Sequence, residues 1–292
     1  MDDPQLTEPE LADLEAAVQI ALRDRDNAGL NVIGYGEMSI VLGYPFDAPR
    51  YACKPSFPYT RQELDAYVQM IDDYVAALRA RGLSVAPTQL MEIERGDRFV
   101  AYQVQPLFPS ETIGDNVLRA AEPDPEHPLL VSLASMMNLV TDRVSFDSQM
   151  TNWSWDGETP TLVDVGTPFF WHEDGELVID LKPLVRAIPA PLRRFVLNDV
   201  APLLARYQVP RNVAIDIVAQ LMRIELDEWI EPTITALNAE LDQPIDEAEG
   251  RASLADDHKS LPRLKRLQKI ERTWSTWIRR RSYDYFIQPT SY

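Results

Sequence analysis

Cysteine is nearly absent from this chain. Its 292 residues contain one, Cys53, so no internal disulfide can form. Histidine is almost as scarce: His127, His172 and His258 stand far apart and make no metal-ligand spacing. No stretch approaches the roughly 18 consecutive apolar residues that crossing a bilayer requires. The first residues, Met1-Asp2-Asp3-Pro4, are acidic and have no apolar core of a secretory signal. With the single thiol, this predicts a reducing, cytoplasmic setting and no membrane partner. Basic residues are outnumbered as well, 28 Lys and Arg against 46 Asp and Glu, a net charge of -18. That surface repels nucleic acid and anionic membranes and favours cationic or neutral partners.

What is present is the composition of an ordinary globular protein, 45% hydrophobic and 25% charged. It excludes long disorder, collagen-like repeats and a coiled coil as the main architecture. The length suits about two domains. The charge is uneven: from Lys259 to Arg281 there are nine Lys or Arg against one acid, Glu271, with Trp274, Trp277, Tyr283, Tyr285 and Phe286 within or after the run. An anionic-ligand patch is one reading. The plainer one, favoured by the opposite charge elsewhere, is an amphipathic helix folded on an acidic body, with Leu264, Leu267, Ile270 and Trp274 as its apolar stripe.

Along the chain, residues 7–25 carry helical periodicity, with Thr7 and Glu10 at capping-box spacing. Short strand runs follow at 30–33, 39–42 and 51–54. A long helix over 60–81, closed by Gly82, has Leu64, Tyr67, Val68, Ile71, Val75 and Leu78 on one face. Two more strands are expected at 89–94 and 99–104, around the Gly96-Asp97 turn. Past residue 106 the pattern changes: a helix over 129–142, a short strand at 161–163, then helices over 192–206, 211–229, 231–241 and 258–282. The expected division is an N-terminal helical extension (1–29), a small α+β unit (30–105) and a larger, mainly helical one (106–292).

Four motifs stand in one order. Gly34-Tyr35-Gly36-Glu37-Met38-Ser39-Ile40-Val41 puts two glycines in a turn between strands, where backbone N–H groups can approach phosphate oxygens; Ser39 stands where a third glycine would, and Val41 suits a purine face. A plain hairpin turn is the bland alternative. Lys54 ends the apolar run Tyr51-Ala52-Cys53-Lys54 and offers a point charge to a phosphate, or is simply solvated. Glu63 is the first acid on the following helix able to orient that lysine, with Asp65, Asp72 and Asp73 further along; its alternative is a first-turn partner of the helix dipole. Asp147-Ser148-Gln149-Met150-Thr151-Asn152 places a carboxylate, suited to accept a hydroxyl proton, five residues before an amide oxygen suited to a hard cation. Leu162-Val163-Asp164-Val165-Gly166 delivers a carboxylate from an apolar strand, where it can bridge a divalent metal to phosphate.

In that order and spacing the motifs resemble the protein-kinase-like superfamily over about residues 30–170. The resemblance implies a two-lobed α+β fold, with a small five-stranded N-lobe carrying one long helix and a mainly helical C-lobe. It implies ATP and Mg²⁺ as cofactors. Gly34 and Gly36 would cover the phosphates and Lys54 would contact them. Gln103-Val104-Gln105-Pro106-Leu107 would be the hinge whose backbone grips adenine. Asp147 would be the catalytic base, and Asn152 and Asp164 would hold Mg²⁺.

Departures narrow this. Ser145-Phe146-Asp147 lacks the histidine and arginine of the family's catalytic loop, so control by a phosphorylated activation loop loses its usual partner. No Ala-Pro-Glu motif closes a peptide-binding segment. The chain therefore resembles the aminoglycoside phosphotransferase and choline kinase branch more than the Ser/Thr protein kinases. The expected function is phosphoryl transfer from ATP to a hydroxyl of a small molecule, cationic or polyol given the charge, or to a peptide Ser or Thr. The alternative is a catalytically silent, pseudokinase-like binding or scaffold protein. Nucleic-acid binding ranks last, and neither the acceptor nor the oligomeric state is legible. Trp153 and Trp155 read as packing before pocket lining, Cys53 as a small buried hydrophobe, and Asp199, Asp216, Glu225, Asp227 and Glu228 as a solvated helical face before an acidic pocket.

Overall fold

The computed structural model describes residues 3–35, 39–273 and 285–286. It begins with α1 (Glu8–Asp24), where the Glu10 carboxylate accepts the Thr7 backbone N–H at 2.8 Å and so ties down one free donor of the first turn. Then come β1 (Val32–Tyr35), β2 (Ile40–Tyr44), β3 (Tyr51–Pro55), α2 (Arg61–Ala80), the two-residue β4 (Ser84–Val85), β5 (Gln89–Arg95) and β6 (Arg98–Pro106). A capping box of Thr60 and Glu63 starts α2, and Gly96, with φ of 63°, makes the β5–β6 turn. The order β-β-β-α-β-β read from the sequence is present; the short β4 is an addition the sequence did not announce.

β1, β2, β3, β6 and β5 form a five-stranded antiparallel sheet in that spatial order. Side chains alternate between its faces. Leu42, Cys53, Val100, Tyr102 and Val104 point to one face, where they are buried with Leu11, Leu14 and Val18 of α1 and with Phe286. The residues between them, Ala52, Lys54, Ala101, Gln103 and Gln105, point to the other face. A bidentate ion pair clamps α1 down: Arg95 donates to both Glu15 oxygens at 2.6 and 2.8 Å, and Tyr102 adds a third bond at 2.7 Å.

Beyond β6 lie α3 (Gly114–Ala120), α4 (Pro128–Ser135), β7 (Trp153–Trp155), β8 (Pro160–Leu162), α5 (Lys182–Val185), α6 (Arg193–Ala205), α7 (Pro210–Arg223), α8 (Ile230–Asn238) and α9 (Glu247–Thr273). β4 pairs parallel with β8, which pairs antiparallel with β7, so a second, three-stranded sheet joins the α2 region to the later chain. The apolar stripe of α2 (Leu64, Tyr67, Ile71, Val75, Leu78) shares one core with Leu129, Leu133, Val213, Leu221 and Trp229. α2 thus packs on the sheet with one side and on the helical region with the other. The fold is mixed α and β, a five-stranded antiparallel sheet with many helices.

Several helix ends differ from the periodicity reading, for local reasons. The expected 129–142 helix tightens after Ser135 into a 3₁₀ turn, Met136–Leu139. α7 stops at Arg223, just before Glu225 takes a left-handed φ of 58°. α9 starts eleven residues before the expected position 258 because Asp246 and Glu249 cap it reciprocally, at 3.0 and 3.2 Å. Its Gly250 lies against α7: a Cβ there would fall 2.6 Å from Val218. Beyond Thr273 the basic run, Trp274 and Trp277 included, falls outside the described residues.

Candidate active site

The two halves of the site come from the five-stranded sheet and from the chain that follows the second, three-stranded sheet. Lys54 lies in β3, hydrogen-bonded between β2 and β6. Asp164 follows β8, and the chain leading to it is anchored where the Val163 N–H donates to the Asn152 carbonyl at 2.8 Å. Across 110 residues of sequence, Lys54 Nζ donates to both Asp164 oxygens, at 2.6 and 2.8 Å. The Gly166 N–H adds a bond to Asp164 Oδ1 at 2.8 Å. Burial by itself raises the Asp164 pKa, but the Lys54 ammonium and that N–H more than offset it, and the carboxyl lies below its ordinary range.

Gly166 lies over this pair. A Cβ there would fall 3.1 Å from each of Asp164 Oδ1, Gln103 Nε2 and Lys54 Nζ, so the loop is in tight contact with all three. Gln103 stands directly opposite Lys54 in the β3–β6 register, on the same face. Its Nε2 donates to Tyr67 Oη of α2 at 2.6 Å, and that hydroxyl is 3.5 Å from the Gly166 carbonyl.

Asp147 sits in a loop held at several points. Tyr74 of α2 donates to the Ser145 carbonyl at 2.7 Å, Phe146 packs edge-on against Trp153, and Ser148 donates to Asp216 of α7 at 2.8 Å. Tyr207 donates to the same Asp216 oxygen at 2.7 Å. Burial first, and then the negative charges of Asp164 and Asp216, push the half-buried Asp147 carboxyl up to about 7, against the Gln149 N–H and Lys54. A carboxylate titrating near neutrality is suited to proton transfer. Among the described residues no three His, Cys, Asp or Glu side chains come together as a metal cage. The expected ligands Asp164 and Asn152 lie on segments joined by the Val163–Asn152 backbone bond; a carboxylate and an amide oxygen are donor types that suit an ion such as Mg²⁺, which takes most ligands from water and phosphate.

The sequence matches a family described as "Family of unknown function (DUF6206)" over residues 13–280. The chain belongs to this family. No curated protein matches it. Among solved structures it is similar to a GDP and kanamycin complex of APH(2")-IIia, at 13% identity, over 78% of this chain and 98% of that one, with a TM-score of 0.33.

Not every expected site residue joins the cluster. Glu63 does not meet Lys54. Two nitrogens of Arg186 hold its carboxylate, one at 3.1 Å, and with the Thr60 cap they lower its pKa to about 2. The cause is its place at the third position of α2, where the carboxylate turns back to cap the helix. The other acids considered, Asp65, Asp72 and Asp73, are exposed. What α2 presents to this cluster is Tyr67, one turn further on, which meets Gln103 and the Gly166 carbonyl.

At the expected hinge, the Leu107 N–H already donates to the Arg50 carbonyl at 2.9 Å, and Pro106 has none, so neither backbone group is free to bind a base. The buried Gln105 side chain bonds Thr88 Oγ1 at 2.9 Å. Gly34 pairs with Val41 across β1 and β2, and Val41 and Ser39 are half-buried; Gly36 lies outside the described residues. Trp153 is fully buried packing. Burial pushes the Cys53 thiol up to about 12 and leaves it unreactive. Glu225, Asp227 and Glu228 are exposed, but Asp216 anchors the Asp147 loop. A cavity of about 160 Å³ lies away from this cluster, between α2 and Leu90 of β5. Arg186 is a contributor that the sequence reading did not single out; Tyr67, Gln103 and Asp216 were read as helix stripe, hinge and solvated helical face, and the structure gives them side-chain bonds in this cluster instead.

Proposed function

We propose that this protein is an ATP- and Mg²⁺-dependent phosphotransferase acting on a hydroxyl of a small molecule, with a peptide Ser or Thr as the other acceptor class. One observation carries the reading. Lys54 and Asp164 meet at 2.6 Å, and both influence Asp147, in a chain whose motifs follow the protein-kinase-like order.

In this reading Asp147 orients the acceptor hydroxyl and takes its proton; a pKa near neutrality suits both tasks. Lys54 neutralises phosphate oxygens as a compact cation. Asp164 and Asn152 would hold Mg²⁺, which when bound adds positive charge against the developing charge of the transferred group. Gly34, Gly36 and Ser39 would border the phosphates, with Val41 and the Leu107 side chain against the base. Lys54 and Asp164 neutralise each other in the free protein, and in this reading phosphates and metal compete for both partners of the pair. The net charge of -18 supports a cationic or polyol acceptor.

A second reading, a catalytically silent binding protein, is favoured by the diversion of Glu63 to Arg186 and the closed Leu107 N–H. Thermal unfolding with and without ATP and Mg²⁺ separates the two. Ligand at ~100 times its dissociation constant adds about 2.7 kcal/mol. The enzyme reading expects that shift in wild type and in Asp147→Ala, with ATP hydrolysis lost in Asp147→Ala and Asp164→Ala. No shift over a wide ATP range removes the enzyme reading, and hydrolysis persisting in both variants refutes the assigned roles.

A further inference from the structure

Resting on that reading of the site, we infer that Tyr67 and Gln103 together are the positioning residues for Lys54, doing as a neutral pair what a carboxylate on α2 was expected to do. If a metal and phosphates draw Asp164 away, Lys54 needs another acceptor to keep its ammonium in place. The acids of α2 do not provide one: Glu63 is held by Arg186, and Asp65, Asp72 and Asp73 face solvent.

Gln103 has the right position. It is the cross-strand partner of Lys54, on the same sheet face, and only 5% exposed. Its Nε2 is directed at Tyr67 Oη at 2.6 Å, which fixes the orientation of the amide. An amide so fixed has Oε1 left as an acceptor, and among the described residues no donor to that oxygen is found. Lys54 Nζ and Gln103 Nε2 both flank the same point above Gly166, 3.1 Å from it, so the two side-chain ends are neighbours.

Tyr67 is the anchor. It is 7% exposed, and its ring stacks on Tyr59 with centroids 5.0 Å apart. Burial raises its pKa, so the hydroxyl keeps its proton, with the Gly166 carbonyl as the nearby acceptor at 3.5 Å. The Tyr67–Gln103 bond and the cross-strand place of Gln103 beside Lys54 therefore offer the lysine a support from α2 without a second charge. A neutral support leaves Lys54 its full charge for phosphate, whereas a carboxylate partner would neutralise part of it.

The test uses full-length protein, Mg²⁺ and ATP, with ATP hydrolysis followed as kcat and KM and thermal midpoints recorded alongside. Tyr67→Phe removes one oxygen and keeps the packing; Gln103→Leu removes the amide; Gln103→Glu keeps an acceptor beside Lys54, to which the Tyr67 hydroxyl can donate. The inference expects kcat to fall about tenfold or more in Tyr67→Phe and Gln103→Leu with KM for ATP within threefold of wild type, since a misplaced charge acts on the transition state. Gln103→Glu is expected to retain clearly more kcat than Gln103→Leu. If wild type binds and hydrolyses ATP but Tyr67→Phe and Gln103→Leu keep its kcat, or if Gln103→Glu is as slow as Gln103→Leu, the inference is overturned while the proposed function stands. A wild type that neither binds nor hydrolyses ATP overturns both.

Discussion

Arg186 grips both carboxylate oxygens of Glu63 and so ties the first turn of α2 to the chain just after α5. The same guanidinium also reaches the Pro58 carbonyl at 3.3 Å. Arg193 donates to the Arg186 carbonyl at 3.1 Å, which extends the link to α6.

This junction has a pH signature. Arg186 first, and then the Thr60 cap, lower Glu63 from its ordinary 4.5 to about 2. A carboxyl with a depressed folded-state pKa adds stability that is complete above pH 4.5 and is lost as pH falls towards 2. Glu63→Gln is therefore expected to cost about 1 kcal/mol at pH 7, a value set by the partial exposure of the pair. Urea unfolding should show the gap between variant and wild type closing between pH 4.5 and 2. A gap that is constant with pH would contradict the ion pair.

Asp147 behaves in the opposite sense. Its pKa is raised to about 7, so the folded state prefers the neutral acid, and stability declines as pH climbs from about 4 to 7. Asp147→Asn removes that cost: at pH 8 the variant should be the more stable, by up to about 4 kcal/mol before solvent screening of the half-buried carboxyl reduces it, and at pH 3 the two should match. The proposed proton-accepting role adds a second expectation, that wild-type turnover rises through about pH 7 and levels off above it. Calorimetric midpoints at the two pH values and a pH–rate profile check both statements. A more stable wild type at pH 8 would overturn the burial argument.

On the far face of the sheet, Glu15 and Arg95 are 2% and 7% exposed and satisfy each other's charge. Truncating one partner leaves the other charged and buried, which costs about 3–5 kcal/mol. Arg95→Ala should therefore lower the thermal midpoint sharply, while KM for ATP stays near wild type because this face lies opposite Lys54. A midpoint within one degree of wild type would show that α1 is not held this way.

The sequence by itself determined the main elements of the first 106 residues and the order of the motifs. The Thr7–Glu10 spacing, the Gly96 turn and the apolar stripe of α2 are local signals, written within one or two turns of the residues they govern. They were enough to place Lys54 at a strand end and Asp164 just after another, and to read five strands and a long helix in the first 106 residues. Only the tertiary structure decided which charges meet. Whether Glu63 serves Lys54 or Arg186 depends on how α2 is rotated about its axis and on a partner 123 residues away. The bonds of Tyr67 to Gln103 and of Ser148 to Asp216 span 36 and 68 residues. Periodicity carries no information over such separations, because the choice among competing partners is made by packing, which brings distant side chains within hydrogen-bond range only once the core has closed.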